Sequence, residues 1–262
     1  MTRETSDEAG RKILKVIEGE GWRVKGIINT HSNADHVGGN KFIKDRTGCK
    51  IHAFGIEKSI IENPVLEPAF LYGGFPFKDL TNKFLMAKPS VVELNEDDLP
   101  AGLKIIKLRG HFFDMVGVIT DDEVCFLADS LFSEETINKY HVFFIYDVSA
   151  FINTLSYLET VNAKVFVPSH GEITDDISNL IRLNRDKVME ISNKIINICK
   201  AKITYEEILK SIFDEYNLVM NANQYVLVGS TIKSYLSYLY NENKIRYEFN
   251  DNKMYWYETK NL

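Results

Sequence analysis

Histidine and aspartate side chains recur in this chain at spacings that suit metal ions. They are His31, Asp35 and His36 in the run His31-Ser32-Asn33-Ala34-Asp35-His36, followed by His111, Asp129 and His170. Imidazole nitrogens and carboxylate oxygens are the ligands that hold zinc and similar ions, and ions so held activate water and polarise a carbonyl or phosphoryl group. A lone histidine is usually structural. Here four of the six histidines share the pattern with two aspartates.

The surrounding sequence explains how residues so far apart would meet. An amphipathic helix is expected over Glu8–Glu18, with Ile13, Leu14 and Ile17 on one stripe, stopped by Gly19 and Gly21. A strand over Val24–Asn29 runs into the His-rich loop, and a helix near Gly39–Thr47 and a short strand at Lys50–Ala53 follow. Further strands are expected at Leu103–Leu108, Val116–Thr120 and Val124–Leu127, the last two joined by a turn at Asp121-Asp122. A helix over Val148–Thr160 then leads to a strand at Lys164–Val167 and the sequence Pro168-Ser169-His170-Gly171. His31, His111, Asp129 and His170 thus each follow an expected strand. Loops at strand ends gather along one rim of a sheet, which would bring these groups together.

Residues 57–89 break the regular pattern, with prolines, paired glycines and aromatics but no clean periodicity. Such a segment is either a lid or binding surface, or a loop packed over the core. Tyr72, Phe113 and Tyr146 are candidates for a substrate pocket, with Asp147 and His141 as weaker ones, and His52 reads as structural. Gly38-Gly39 would allow close backbone packing beside the site, or form a plain turn before a helix.

Bulk properties narrow the function classes. The 262 residues are 45% hydrophobic and 26% charged, as in ordinary globular proteins, with a net charge of −6. That charge gives no electrostatic case for nucleic acid or anionic membranes. No apolar run reaches the roughly 20 residues of a membrane span, and the polar opening MTRETSDEAGRK has no signal-peptide core. Three scattered cysteines, Cys49, Cys125 and Cys199, read as thiols in a reducing compartment, so a cytoplasmic location is expected.

The chain resembles the metallo-β-lactamase superfamily, especially its glyoxalase II-like branch. The resemblance rests on HSNADHVGGN, Gly110-His111, Asp129 in LADSLF and His170 in PSHG, and it spans about Gly10 to Glu172. It implies an α+β fold, an αββα sandwich with a metal site at one edge of two sheets. It also implies two metal sites: His31, position 33, His111 and Asp129 in one, and Asp35, His36, Asp129 and His170 in the other, with Asp129 bridging. In the family a metal-bound hydroxide attacks the substrate, and Asp35 would both ligate and orient the nucleophile.

Three departures stand out. The family pattern HxHxDH has an imidazole where this chain has Asn33, and an amide oxygen is a poorer ligand for zinc or iron. Asn33 is then either a weak ligand or a hydrogen-bonding neighbour that leaves one metal bound. Phe112-Phe113 after the third-motif histidine indicates a tight pocket mouth. The strands that usually precede the first helix are missing, so the sandwich is expected to be N-terminally short: either the chain is a fragment or starts late, or another segment covers the sheet edge.

After Asp175 the pattern changes to helices at about 177–199, 205–216 and 226–242, closed by Ile245–Phe249 and Met254–Tyr257. This resembles a winged helix and divides the chain into a metallo-β-lactamase-like domain, 1–174, and a C-terminal domain, 175–262. Acidic and basic residues balance in the latter, which argues against nucleic acid. The Tyr- and Leu-rich helix VGSTIKSYLSYLYNENK fits packing on the catalytic domain or on a second subunit, as in a homodimer. The expected function is metal-dependent hydrolysis of a small ester, thioester, lactone or related molecule. The alternatives are a non-catalytic sensor or partner-binding protein and, third, a nuclease. Zinc, one or two ions, is the default, with iron or manganese open.

Overall fold

The computed structural model describes residues 7–93 and 98–259; the polar opening stretch 1–6 lies outside them. In chain order the elements are α1 (Asp7–Gly19), β1 (Gly26–Ile28), α2 (Ala34–Val37), α3 (Asn40–Thr47), β2 (Lys50–His52), α4 (Glu57–Glu62), α5 (Leu66–Tyr72), β3 (Leu103–Lys107), β4 (Val116–Thr120), β5 (Val124–Phe132), α6 (Glu134–Tyr140), α7 (Val148–Leu158), β6 (Val165–His170), α8 (Ser178–Ile198), β7 (Ile203–Thr204), α9 (Tyr205–Glu215), α10 (Ala222–Asn241), β8 (Ile245–Asn250) and β9 (Lys253–Glu258).

The elements form three sheets. β1 and β2 pair in parallel across the α3 crossover, and α1 packs on α3. The second sheet has the order β3-β4-β5-β6, with β5 and β6 parallel and the other pairs antiparallel. α7 and α8 cover β5. Helix, sheet, sheet, helix is the αββα order, so the expected fold class holds. The Thr30 carbonyl accepts a bond from the Val116 N–H at 2.9 Å, which ties the His-rich loop of the small sheet to the start of β4 in the large one.

In the C-terminal part β7 pairs with β9, completing a three-stranded sheet in the order β7-β9-β8. The two-residue β7 is too short for a periodic signal. Thr204 opens α9 with a capping box, its hydroxyl accepting from the Glu207 N–H while the Glu207 carboxylate accepts in return. One apolar core runs through both parts of the chain, from Leu127, Leu131 and Phe151 to Val188, Ile212, Tyr235 and Leu236. Cys49, Cys125 and Cys199 are buried and unpaired.

Several sequence expectations needed correction. Residues 57–89 are not irregular throughout: α4, α5 and a single 3₁₀ turn at Lys78–Leu80 lie there. Helices of six and seven residues span too few turns to display a period. Helix α6 was missed for the same reason, although Ser133 caps it by accepting from the Thr136 N–H. Strands β5 and β6 are longer than expected, so Asp129 lies within β5 and His170 ends β6, not in the loops beyond them. Gly39 packs against Gly10 of α1, where a Cβ would come within 3.3 Å of the Gly10 backbone; it serves the α1–α3 contact.

Candidate metal centre

The ends of β1, β5 and β6 deliver the ligand candidates to one place. His31 and Asn33 lie in the loop after β1, and α2 begins directly after Asn33, whose carbonyl accepts from the His36 N–H. That single turn of helix sets Asp35 and His36 beside each other. Asp129 follows Ala128, which holds φ at 49° within a register shift of β5 against β6. A positive φ outside glycine is costly; here it turns the Asp129 carboxylate inward. The Ser130 hydroxyl bridges the bulge by donating to the Leu127 carbonyl at 2.7 Å. His111 follows Gly110, at φ 125°, where a Cβ would stand 2.4 Å from the Phe151 backbone. The Gly110 carbonyl accepts from the N–H groups of Tyr146 and Asp147, which pins this turn to the start of α7.

Asp129 lies at the centre of the cluster, 3% exposed. His170 Nε2 is 3.0 Å from its Oδ2, His36 Nε2 is 3.3 Å from its Oδ1, and His111 Nε2 is 3.7 Å from its Oδ2. His36 Nε2 is also 3.6 Å from Asp35 Oδ2. The His31 ring lies 4.0 Å from that of His36 and 5.2 Å from that of His111, centroid to centroid. Two overlapping groups of ligand atoms are close enough to share an ion: His31, His36 and Asp129, and Asp35, His36 and His170. His111 falls in neither group, but its Nε2 is 3.7 Å from Asp129, so all six candidates lie around that carboxylate.

Burial and mutual charge shape their titration. Burial pushes Asp129 upward, but the imidazoles of His36, His170 and His111 overcome that and hold it well below the usual carboxylate range. Burial works against a charged His36, but the Asp129 and Asp35 carboxylates raise it to about 9. His31 is driven well down by burial and by His36, and His111 is lowered by burial.

The donor set fits a metal. Nδ1 of His111 is 2.9 Å from the Phe144 carbonyl, which only accepts, so that nitrogen carries the proton. In the neutral ring Nε2 then offers a lone pair, and it faces Asn33 Oδ1 at 3.1 Å. Two acceptors so placed suit a cation between them. Buried His31 Nε2 also lacks a hydrogen-bond partner among the described residues. Unpaired lone pairs converging on one space are what a bound cation satisfies.

Sequence reasoning missed two buried carboxylates. Glu67, from α5, accepts from Asn33 Nδ2 at 2.6 Å, and burial raises its pKa well above the usual range. Glu57, from α4, accepts from the N–H and hydroxyl of Ser32 and from the N–H of Asp114, and burial lifts it to about 7. Both come from the segment read as irregular. Glutamates in an aperiodic stretch look solvent-facing, and only the two short helices turn them inward.

A cavity of about 390 Å³ opens on the cluster. Its walls include Glu67, Phe84, Leu85, Phe132, Tyr140, Phe143, Phe144 and, from α10, Asn223, Gln224, Leu227 and Val228. Asp35 and His170 also face a second, more polar cavity of about 760 Å³, bordered by Glu134, Glu135, Glu172 and Asp176. Tyr72, Phe113 and Tyr146 line neither. Phe113 and Tyr146 gather with Phe70, ring centroids 4.2–5.3 Å apart, and Tyr72 is exposed against Phe77. Bulky aromatics beside the His111 turn are drawn into packing between α5 and α10, not into the cavity. His141 stacks on Tyr216 and lines neither cavity, and His52 is buried.

Comparison with known proteins shows the family and the fold. A stretch of a hydroxyacylglutathione hydrolase from Bradyrhizobium sp. (strain ORS 278) is 32% identical over 127 residues, 48% of this chain and 41% of the relative. One from Rhodospirillum rubrum is 40% identical over 58 residues, 19% of this chain and 23% of the relative. The chain thus spans less than half the length of these curated relatives. Two solved structures share the fold across 95% of this chain. One is a metallo-beta-lactamase family protein from Thermus thermophilus, with a TM-score of 0.71, 16% identity and 86% of its chain covered. The other is a beta-lactamase domain protein from Burkholderia ambifaria, with a TM-score of 0.70, 15% identity and 79% covered. The family model of the metallo-beta-lactamase superfamily matches residues 2–170, every candidate ligand included, and the chain belongs to that superfamily.

Proposed function

We propose that this protein is a metal-dependent hydrolase acting on an uncharged, largely apolar acyl compound: an ester, thioester or lactone. The observation that carries the substrate class is the cavity wall beyond the ligand cluster: it is mostly aromatic and aliphatic, its polar groups are the Asn223 and Gln224 amides, Thr136, the Tyr140 hydroxyl and the Glu67 carboxyl, and among the described residues it has no lysine or arginine. The polar cavity bordered by Asp35 and His170 has no lysine or arginine among its described lining residues either. The curated relatives are named for an acylglutathione, whose glutathione part carries two carboxylates at neutral pH. These walls offer neither carboxylate a counter-charge.

His31, Asn33 and His111 would hold an ion on one side of Asp129, and Asp35, His36 and His170 on the other. Bound there, divalent metal would activate water and polarise the acyl carbonyl. Asp35, half in solvent at the junction of the two cavities, is placed to orient the attacking water and take its proton. Phe84, Phe143, Phe144 and Leu227 would hold the acyl chain and exclude bulk water, and the Asn223 and Gln224 amides would bond its polar end. Zinc suits the His and Asp ligands, while an amide oxygen at position 33 shifts preference toward manganese.

The role of α10 in this cavity supports reading residues 175–262 as a winged-helix-like, substrate-side domain. Its Thr231 hydroxyl accepts from the Ile145 N–H, and its Ser234 hydroxyl donates to the Tyr146 carbonyl. The unpaired cysteines favour a cytoplasmic setting. No helix among the described residues is long and apolar enough to cross a membrane.

The test is a panel of metal-loaded assays pairing neutral esters, thioesters and lactones with acylglutathione thioesters. A preference of at least about tenfold in kcat/KM for neutral substrates is expected, the scale of one lost charge contact. Faster turnover of the glutathione thioester would overturn the substrate class, and no turnover of any member would overturn the hydrolase.

A further inference from the structure

We propose that Glu67 is a positioning residue for the metal centre: it fixes the Asn33 amide with its oxygen toward His111, making Asn33 an oxygen ligand where the family pattern has an imidazole. The proposal rests on the reading that this cluster holds metal.

An amide has two ends of nearly equal size, and only the oxygen has a lone pair free to coordinate. Left alone beside His111, Asn33 would be free to present either end. Glu67 removes that freedom. Its Oε1 accepts from Asn33 Nδ2 at 2.6 Å, and it does so whether or not the other carboxyl oxygen carries a proton. With Nδ2 engaged, Oδ1 must face the opposite way, toward His111 Nε2 at 3.1 Å. Two ligands of one ion, each about 2.1 Å from it, stand about 3 Å apart.

Glu67 is itself held firmly. It is 4% exposed on α5 and lines the same cavity as Asp35, His111 and Asp129. Burying a carboxyl is costly unless it has work to do. Among the described residues, Asn33 Nδ2 is the side-chain hydrogen bond made by the Glu67 carboxyl, so the burial serves that amide. The pairing also explains why asparagine is tolerated at position 33: orientation supplied from behind a ligand compensates for the weaker ligand.

The test uses the full chain, stripped with chelator and titrated calorimetrically with Mn2+ or Zn2+ alone, with bound metal counted by elemental analysis. The wild type is expected to take two ions. Glu67→Ala should weaken one of them by roughly 10–100-fold and leave the other unchanged, the usual scale for losing a residue that orients a ligand. Glu67→Gln keeps an acceptor and should recover most of the affinity. Asn33→Asp sets two carboxylates against each other and should weaken the same ion. Asn33→Asp/Glu67→Gln should restore it, because the amide then stands at position 67 and donates to the carboxylate at 33. This last comparison conserves size and stays decisive if Glu67→Ala fails to fold, as judged by circular dichroism of the stripped protein.

Wild-type affinity for both ions in Glu67→Ala would overturn the proposal while leaving the hydrolase reading intact. So would a double variant no better than Asn33→Asp alone. A wild type that binds no ion would remove the metal reading itself, and this proposal with it.

Discussion

The two sides of Asp129 are built differently. On one side, Asp35, His36 and His170 are charged or imidazole groups, and Asp35 and His170 reach the polar cavity. On the other, His31, Asn33 and His111 are buried and lean on groups behind them: Thr30 on His31, the Phe144 carbonyl on His111, and Glu67 on Asn33. On the proposed reading the first side would depend on the identity of its ligands. The second would depend on how its ligands are oriented, so that residues never touching an ion would decide its strength.

The largest effect should come from removing what the two sides share. Asp129→Ala deletes the carboxylate around which His36, His111 and His170 gather. Metal content is expected to fall from two ions per chain to near zero, and hydrolysis by on the order of a thousandfold or more. The His36 imidazole, held at about 9 chiefly by Asp129 against its burial, should also titrate lower, which NMR of the ring protons would read. Retention of one tightly held ion would show that the two sides are independent and that Asp129 does not join them. His170→Ala sharpens the same contrast: it should cost only the ion on its own side, whereas an equal loss of both would mean that they bind as a unit.

Next in size is the turn beneath His111. A side chain at Gly110 would meet the Phe151 backbone at 2.4 Å, and φ there is 125°. Gly110→Ala should destabilise the protein by about 3 kcal/mol or more, because neither the backbone angle nor the start of α7 can yield. Thermal unfolding measures it. An unchanged Tm would mean that the buried side is not anchored through this turn.

How much of this was legible in sequence follows the same division. His31, Asp35, His36, His111, Asp129 and His170 announce themselves by type and spacing, and strand periodicity placed them near one sheet rim. The long amphipathic helices of the C-terminal part were also readable, since many turns repeat one apolar stripe. Glu57 and Glu67 were not, because α4 and α5 are too short to show a period and a glutamate reads as solvated until something buries it. The walls of the cavity over the cluster were not legible for a related reason. Tyr72, Phe113 and Tyr146 are the conspicuous aromatics, but large apolar groups satisfy one another wherever they can pack. The amides of Asn223 and Gln224, far along the chain, gave no signal that α10 would reach the site.

A smaller effect tests the cavity. Gln224→Lys adds the missing cation to the wall, outside the ligand cluster. It should narrow the preference for neutral substrates by several-fold, mainly through a higher KM for the neutral and a lower KM for the glutathione thioester. No change in either KM would place the substrate elsewhere.

The finest test concerns Glu57, which ties the Ser32 loop to Asp114 and thereby supports the buried side from below. Burial raises its pKa from about 4.5 to about 7, although bonds from Ser32 and Asp114 favour the carboxylate. A group whose folded pKa is raised gives its full stabilisation below the unfolded value and loses it as pH rises through the folded one. Stability relative to Glu57→Gln should therefore decline between about pH 4.5 and pH 7 and level off above that. The slope is bounded by about 1.4 kcal/mol per pH unit, so the whole change is a few kcal/mol at most. Urea unfolding of both proteins at several pH values between 5 and 8 isolates it, since other titrating groups cancel in the difference. Parallel curves would mean that the Ser32 and Asp114 bonds fully offset the burial. The Ser32 loop would then be held equally well by a charged and an uncharged group at position 57, and the support beneath the buried side would come from its hydrogen bonds alone.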